Sequence, residues 1–193
     1  MLENLNKYHI ILASNSPRRK ELLEGLDIDF EVRVLPGIDE NYPDTLKTVD
    51  VAQYIAEEKA NAYMKQLCEN DLLITADTIV LLGDNILGKP VDKADAYRML
   101  RLLSGKTHQV VTGVCIISSK RQSKFSVFTD VTFDELTDAE IDYYVKTYTP
   151  MDKAGAYGIQ EWIGHVAVTS LNGSYFNVMG FPVQRIYKEL KTF

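Results

Sequence analysis

Cysteine is scarce in this chain of 193 residues. Only Cys68 and Cys115 occur, in no C-x-x-C or His-flanked pattern, so neither a disulfide framework nor a thiolate metal site is expected. Two inert thiols suit a reducing compartment. Long apolar runs are missing as well. The first, residues 9–13, follows a polar stretch and is too short for a signal-peptide core, and nothing later approaches the roughly 20 apolar residues of a membrane span. A cytoplasmic protein with no membrane partner is expected. There is no excess of positive charge: Lys+Arg 21 against Asp+Glu 27 leaves a net charge of −6. A sequence-wide footprint for nucleic acid is therefore absent, and any anion must be held by a local cluster of basic groups. Walker A, G-x-G-x-x-G, G-x-S-x-G and H-E-x-x-H patterns are all lacking, which removes the usual support for kinase-like, dinucleotide-dependent, serine-esterase and zinc-protease chemistry. Repeats, low-complexity tracts and Gly/Ser/Pro linkers are also missing.

What is present reads as a globular α/β chain. Apolar residues make up 46% and charged residues 25%, near the globular average. Residues 9–13 predict a short buried strand that runs into Ser16, a natural N-cap, with Pro17 at the first helical position. Residues 28–35 predict a second strand, and 48–67 a long amphipathic helix carrying Ala52, Ile55, Ala56 and Ala60 on one face. A strand over 72–82 is interrupted by the polar step Ala76-Asp77-Thr78. Asp92 caps a helix ending near Leu103, and residues 109–118 and 124–134 predict long neighbouring strands. Thr137 and Glu140 form a capping box before a helix whose stripe is Ile141, Tyr144, Val145 and Tyr148. Asn172-Gly173 between 166–171 and 174–179 reads as a hairpin turn, and Pro182 opens a last helix. A mixed β-sheet with flanking helices follows, in a single domain over 1–193.

Four segments hold groups suited to chemistry, each with a bland reading beside the functional one. Residues 14–19 bring a strand to a helix N-terminus beside Arg18 and Arg19, a natural anion site; the alternative is an ordinary capped helix with solvated arginines. Arginines in a first turn oppose the helix dipole unless an anion is present. Asp77 puts a carboxylate inside an apolar run, where a charge needs a partner, a hydrogen bond or a metal; the alternative is a strand-end turn. Lys89 stands between two turn residues, Gly88 and Pro90, and reads equally as a solvated lysine. Residues 152–160 combine Gly155 and Gly158, which permit close backbone approach, with the Gln160 amide, whose donor and acceptor match the pairing edge of uracil or thymine. A surface loop is the alternative there. His9, His108 and His165 have no metal-ligand spacing. Arg18, Arg19, Lys59, Lys89 and Lys153 around one or two carboxylates suit metal-assisted hydrolysis of a phosphoanhydride.

Six segments taken in order carry a family resemblance: residues 12–23 (LASNSPRRKELL), 76–80 (ADTIV), 88–90 (GKP), 106–113 (KTHQVVTG), 153–160 (KAGAYGIQ) and 173–182 (GSYFNVMGFP). Together they resemble the Maf family of cytoplasmic nucleoside triphosphate pyrophosphatases. The resemblance implies a two-lobed fold of the Maf/ITPase type with a central cleft, and a small-molecule nucleotide substrate. It also implies a divalent metal, Mg²⁺ with Mn²⁺ or Co²⁺ as alternatives. The YGIQ segment is similar to the branch that prefers dTTP and UTP; the branch preferring 7-methyl-GTP differs there. By position, the resemblance makes Asp77 the proton acceptor, and Arg18, Thr78 and Gln160 the determinants of base preference. Ser14, Ser16, Arg19, Lys59, Lys89 and Lys153 fall where phosphates are lined, and Glu40 joins Asp77 as a metal ligand. One departure stands out: Glu161 follows Gln160 where the family usually has glycine, so an extra carboxylate either tightens metal binding or repels the triphosphate. A nucleotide-binding regulator of septum formation is the alternative of another class. A two-fold homodimer is the expected assembly.

Overall fold

The computed structural model describes residues 2–193. Its strands are β1 (His9–Leu12), β2 (Glu31–Val32), β3 (Asp71–Leu82), β4 (Asn85–Leu87), β5 (Thr107–Ser118), β6 (Gln122–Phe133) and β7 (Val168–Asn172). Its α-helices are α1 (Pro17–Glu24), α2 (Val51–Tyr63), α3 (Lys93–Leu103), α4 (Asp138–Tyr148), α5 (Trp162–Ala167), α6 (Tyr175–Val178) and α7 (Val183–Leu190). The seven strands form a mixed sheet in the order β2-β1-β3-β5-β6-β7, with β4 paired to β3. β1 runs parallel to both β2 and β3, whereas β3/β4 and β6/β7 are antiparallel. Among the described residues no helix is long and apolar enough to cross a membrane.

Two compact units emerge, one of residues 2–77, 112–127 and 180–193, the other of 78–111 and 128–179. In the first, both faces of the sheet are buried, so its strands read as continuous apolar runs. Leu12, Leu72, Ile74, Val114 and Ile116 face a core closed by Leu23, Ile186 and Leu190, while Ile11, Leu73 and Cys115 face Ala56, Ala60 and Tyr63 of α2. The period of two along β3 therefore sets Leu73, Thr75 and Asp77 toward α2. In the second unit Val80, Val110, Val131 and Phe133 pack against Leu100 and Leu103 of α3 and Ile141 and Tyr144 of α4.

The predicted start signals act as read. The Ser16 hydroxyl accepts from Arg19 N at the head of α1, Asp92 accepts from Asp95 N, and the Thr137–Glu140 capping box is complete. Three expectations change. Residues 28–35 pair only over Glu31–Val32. β3 is continuous through Ala76-Asp77-Thr78, so Asp77 lies inside a strand, three residues past the last β1 partner, Ile74. The strand runs on through the polar step with the Asp77 carboxylate paired to Lys59 of α2. Finally, Asn172-Gly173 is no hairpin. β7 pairs with β6, but Tyr175–Val178 is a helical turn whose Ser174 cap accepts from Asn177 N. Gly173 sits at φ 137, and a Cβ there would meet Thr129 Oγ1 at 2.6 Å, so this glycine serves a close approach to β6. The buried Asn177 amide, donating to Val110 O and Thr129 Oγ1, overrides the strand pattern of its neighbours.

Candidate active site

The first unit gathers seven of the expected residues: Ser14, Ser16, Arg18, Arg19, Glu40, Lys59 and Asp77. Their positions follow from local geometry. β1 delivers Ser14 to the head of α1, where its hydroxyl accepts from Ser16 N at 3.2 Å. Arg19, one turn into α1, reaches back: Nε donates to Gly180 O and one terminal nitrogen to Ala76 O, both at 2.9 Å, with Ser14 Oγ at 3.4 Å. The guanidinium thus spans three chain segments and abuts the residue before Asp77. Burial holds its pKa below the ordinary value, against the opposing pull of the Asp77 carboxylate, while the like charge of Arg18 adds to the lowering.

Asp77 faces α2, where Thr75 Oγ1 of the same strand face donates to Ala56 O at 2.6 Å. One helical turn beyond Ala56, Lys59 Nζ lies 2.7 Å from Asp77 Oδ1 and 2.8 Å from Glu40 Oε1. Both Lys59 and Asp77 are largely buried, at 14% and 13% side-chain exposure, and Glu40 is half-exposed. Two carboxylates on one ammonium leave the cluster with an excess of negative charge, in surroundings where each ion is stabilised by its partners and costly to leave unpaired. Among the described residues no group of three or more His, Cys, Asp or Glu converges as a metal cage. The donor set nevertheless fits a hard divalent cation, because Mg²⁺ is usually held by one or two carboxylates with phosphate oxygens and water completing its shell.

The second unit holds Thr78, Lys89, Lys153 and Gln160. Lys89 is exposed, and its turn is tied to the glycine-containing loop by Gly155 N donating to Gly88 O at 3.0 Å. Gly155 sits at φ +67, with Val80 Cγ2 only 2.9 Å from where a Cβ would stand; a side chain there would clash and strain the turn. Lys153 is buried, its ammonium 2.8 Å from Asp152 Oδ1 and 3.1 Å from Glu161 Oε1. The other Glu161 oxygen accepts from the Tyr144 hydroxyl, which itself accepts from Gly158 N at 3.0 Å. Burial first, and then the Glu161 hydrogen bond, push the Tyr144 pKa well above its ordinary value. Gln160 Oε1 is buried with no hydrogen-bond partner in the protein, an acceptor left for something else to satisfy.

Tyr144 and Gly180 were not singled out from sequence. Tyr144 lies on the apolar stripe of α4 and reads as core packing; its signal is a hydroxyl that, once buried, needs a partner. The Gly180 contribution is a main-chain carbonyl, which no side-chain pattern reveals.

The comparisons with known proteins follow the same span. A protein of Phocaeicola vulgatus named dTTP/UTP pyrophosphatase is 63% identical over 191 residues, 99% of each chain. One of the same name from Parabacteroides distasonis is 56% identical over all of both chains, and one from Flavobacterium johnsoniae 48% over 98% of this chain and 97% of its own. The solved Ham1 protein of Staphylococcus aureus aligns over 65% of this chain and 71% of its own at 18% identity with a TM-score of 0.45, a likeness too distant to bear on activity. The model of the Maf-like proteins matches residues 9–193, and with full-length relatives at 48–63% identity the chain belongs to the Maf-like family.

Proposed function

We infer that this protein is a nucleoside triphosphate pyrophosphatase that hydrolyses dTTP and UTP to the monophosphate and pyrophosphate. The observation that carries this reading is the Asp77–Lys59–Glu40 cluster beside Arg19, in a chain 63% identical end to end to a protein named for that activity. Asp77 accepts a proton from a water whose oxygen attacks the α-phosphorus. The bond from that phosphorus to the bridging oxygen breaks, and pyrophosphate leaves with the electron pair. Lys59 holds Asp77 in place and supplies fixed positive charge, and Arg19 keeps Ser14 and the Ala76 carbonyl in register with it. Glu40 and Asp77 would hold a divalent cation, Mg²⁺ or alternatively Mn²⁺ or Co²⁺, which would supply positive charge against the departing pyrophosphate. Ser16, Lys89 and Lys153 are assigned to the phosphates, and Arg18, Thr78 and Gln160 to the base. The unsatisfied Gln160 oxygen supports that assignment, since N3–H of uracil or thymine is the donor it lacks.

The unpaired thiols of Cys68 and Cys115 support a cytoplasmic setting, and a two-fold homodimer is the assembly we propose. The activity is tested with a panel of nucleoside triphosphates and Mg²⁺, scoring pyrophosphate separately from orthophosphate. Pyrophosphate from dTTP and UTP with little from purines is expected. Orthophosphate places the attack at the γ-phosphorus and overturns the mechanism. Binding without turnover moves the protein to a regulatory role.

A further inference from the structure

A lysine that meets phosphate oxygens attracts them in substrate, transition state and product alike, and such uniform binding lowers KM without raising kcat. Whatever tempers Lys153 therefore sets how tightly dTTP is held and how readily pyrophosphate leaves.

Lys153 is buried with two carboxylates on its ammonium, Asp152 Oδ1 at 2.8 Å and Glu161 Oε1 at 3.1 Å. The two differ in kind. Asp152 is 55% exposed, so water and salt screen its charge. Glu161 is 19% exposed and is held from its other side as well. Its second oxygen accepts from the Tyr144 hydroxyl, and Tyr144, fully buried, accepts in turn from Gly158 N at 3.0 Å. The main chain closes the same turn, with Glu161 N donating to Gly158 O at 3.0 Å. Gly158 makes room for the ion pair, since a Cβ there would stand 3.0 Å from both Lys153 Cε and the Glu161 carboxyl carbon. Both Glu161 oxygens are thus engaged within the second unit, and its charge stays against the ammonium when an anion arrives. A poorly hydrated carboxylate fixed beside a lysine repels an incoming phosphate over the same few ångströms at which the lysine attracts it.

We propose that Glu161, tied in place by Tyr144, is an affinity-determining residue: as the fixed counter-ion of Lys153 it weakens the hold on polyphosphate, on dTTP and on the pyrophosphate product alike. This rests on the phosphate role assigned to Lys153 above. The test measures KM for dTTP and, by titration calorimetry, the dissociation constant of inorganic pyrophosphate in the full-length protein and three variants. Neither constant depends on the folded fraction, so a partly unfolded variant still reports. Glu161→Gln keeps the shape and an acceptor for Tyr144 but removes the charge, and both constants should fall about fivefold. Tyr144→Phe keeps the carboxylate charge and removes only its tie, so neither constant should fall. Lys153→Met keeps the stem without the ammonium, and both should rise. Constants that stay level or rise in Glu161→Gln, as a merely structural role would give, overturn the proposal. An equal fall in Tyr144→Phe does the same, because loosening and not charge would then be the cause. Level constants in Lys153→Met refute the phosphate role of Lys153 and the proposal with it. A wild-type protein releasing no pyrophosphate from dTTP or UTP refutes the proposed activity, and the calorimetric constants still decide the role of Glu161.

Discussion

A lysine in this cluster does two jobs that a residue list separates. Lys59 fell among phosphate binders by resemblance, yet its ammonium sits between Asp77 and Glu40, so it also determines how those carboxylates stand before any substrate arrives. Asp77→Asn preserves the volume and an oxygen for Lys59 but no longer accepts a proton at neutral pH. Its kcat for pyrophosphate release should drop by roughly 10²–10⁴ with the thermal midpoint near that of the wild type; turnover within a factor of a few would refute Asp77 as the base. Arg19 shows the same doubling, because carbonyls of Ala76 and Gly180 take hydrogen bonds from its guanidinium. Such main-chain partners are invisible to sequence reading, whereas the residue type and its place in the first turn of α1 were legible.

At the scale of elements, the site depends on how closely α2 lies on the sheet. Ala52, Ala56 and Ala60 present a small-residue face, and on β5 a Cβ at Gly113 would meet Gln53 N at 2.2 Å and Ala52 C at 2.3 Å. Both are backbone atoms of α2, so nothing local can yield. That close approach lets Thr75 reach Ala56 O and Asp77 reach Lys59. Gly113→Ala must push α2 outward, and we expect a loss of ~3 kcal/mol, at the upper end for overpacking, together with weakened turnover. Chemical denaturation and kinetics on the same preparation check this; unchanged stability would mean that α2 is not held where described. The helix pattern over 48–67 was readable from the alanine periodicity, but its distance from the sheet was not, since that depends on a glycine about fifty residues away.

The folding of the whole chain carries a pH dependence from a residue outside the chemistry. His108 is 2% exposed, hydrogen-bonds the Tyr157 hydroxyl at 2.7 Å and packs edge-on against Phe133 and Tyr157. Burial pulls its pKa from 6.5 to about 4. The unfolded chain then binds the proton more readily than the folded one. Stability is therefore kept above about pH 6.5 and lost as the pH falls from there toward 4, by about 3 kcal/mol in all. Thermal midpoints between pH 7 and 4.5 should show this slope, and His108→Gln should flatten it; an unaltered slope would assign the dependence to other groups. Sequence by itself determined the α/β class, the capped starts of α1, α3 and α4, the family and the residue types of the site, because these are set by local periodicity, caps and short motifs. Tertiary structure alone decided that Asp77 lies within a continuous strand, that Asn172-Gly173 leads into a helical turn, and that Glu161 is bound to Tyr144 and Lys153. In each case partners distant in sequence supply the hydrogen bonds or ion pairs that override a local preference, and those partners meet only once the chain has folded.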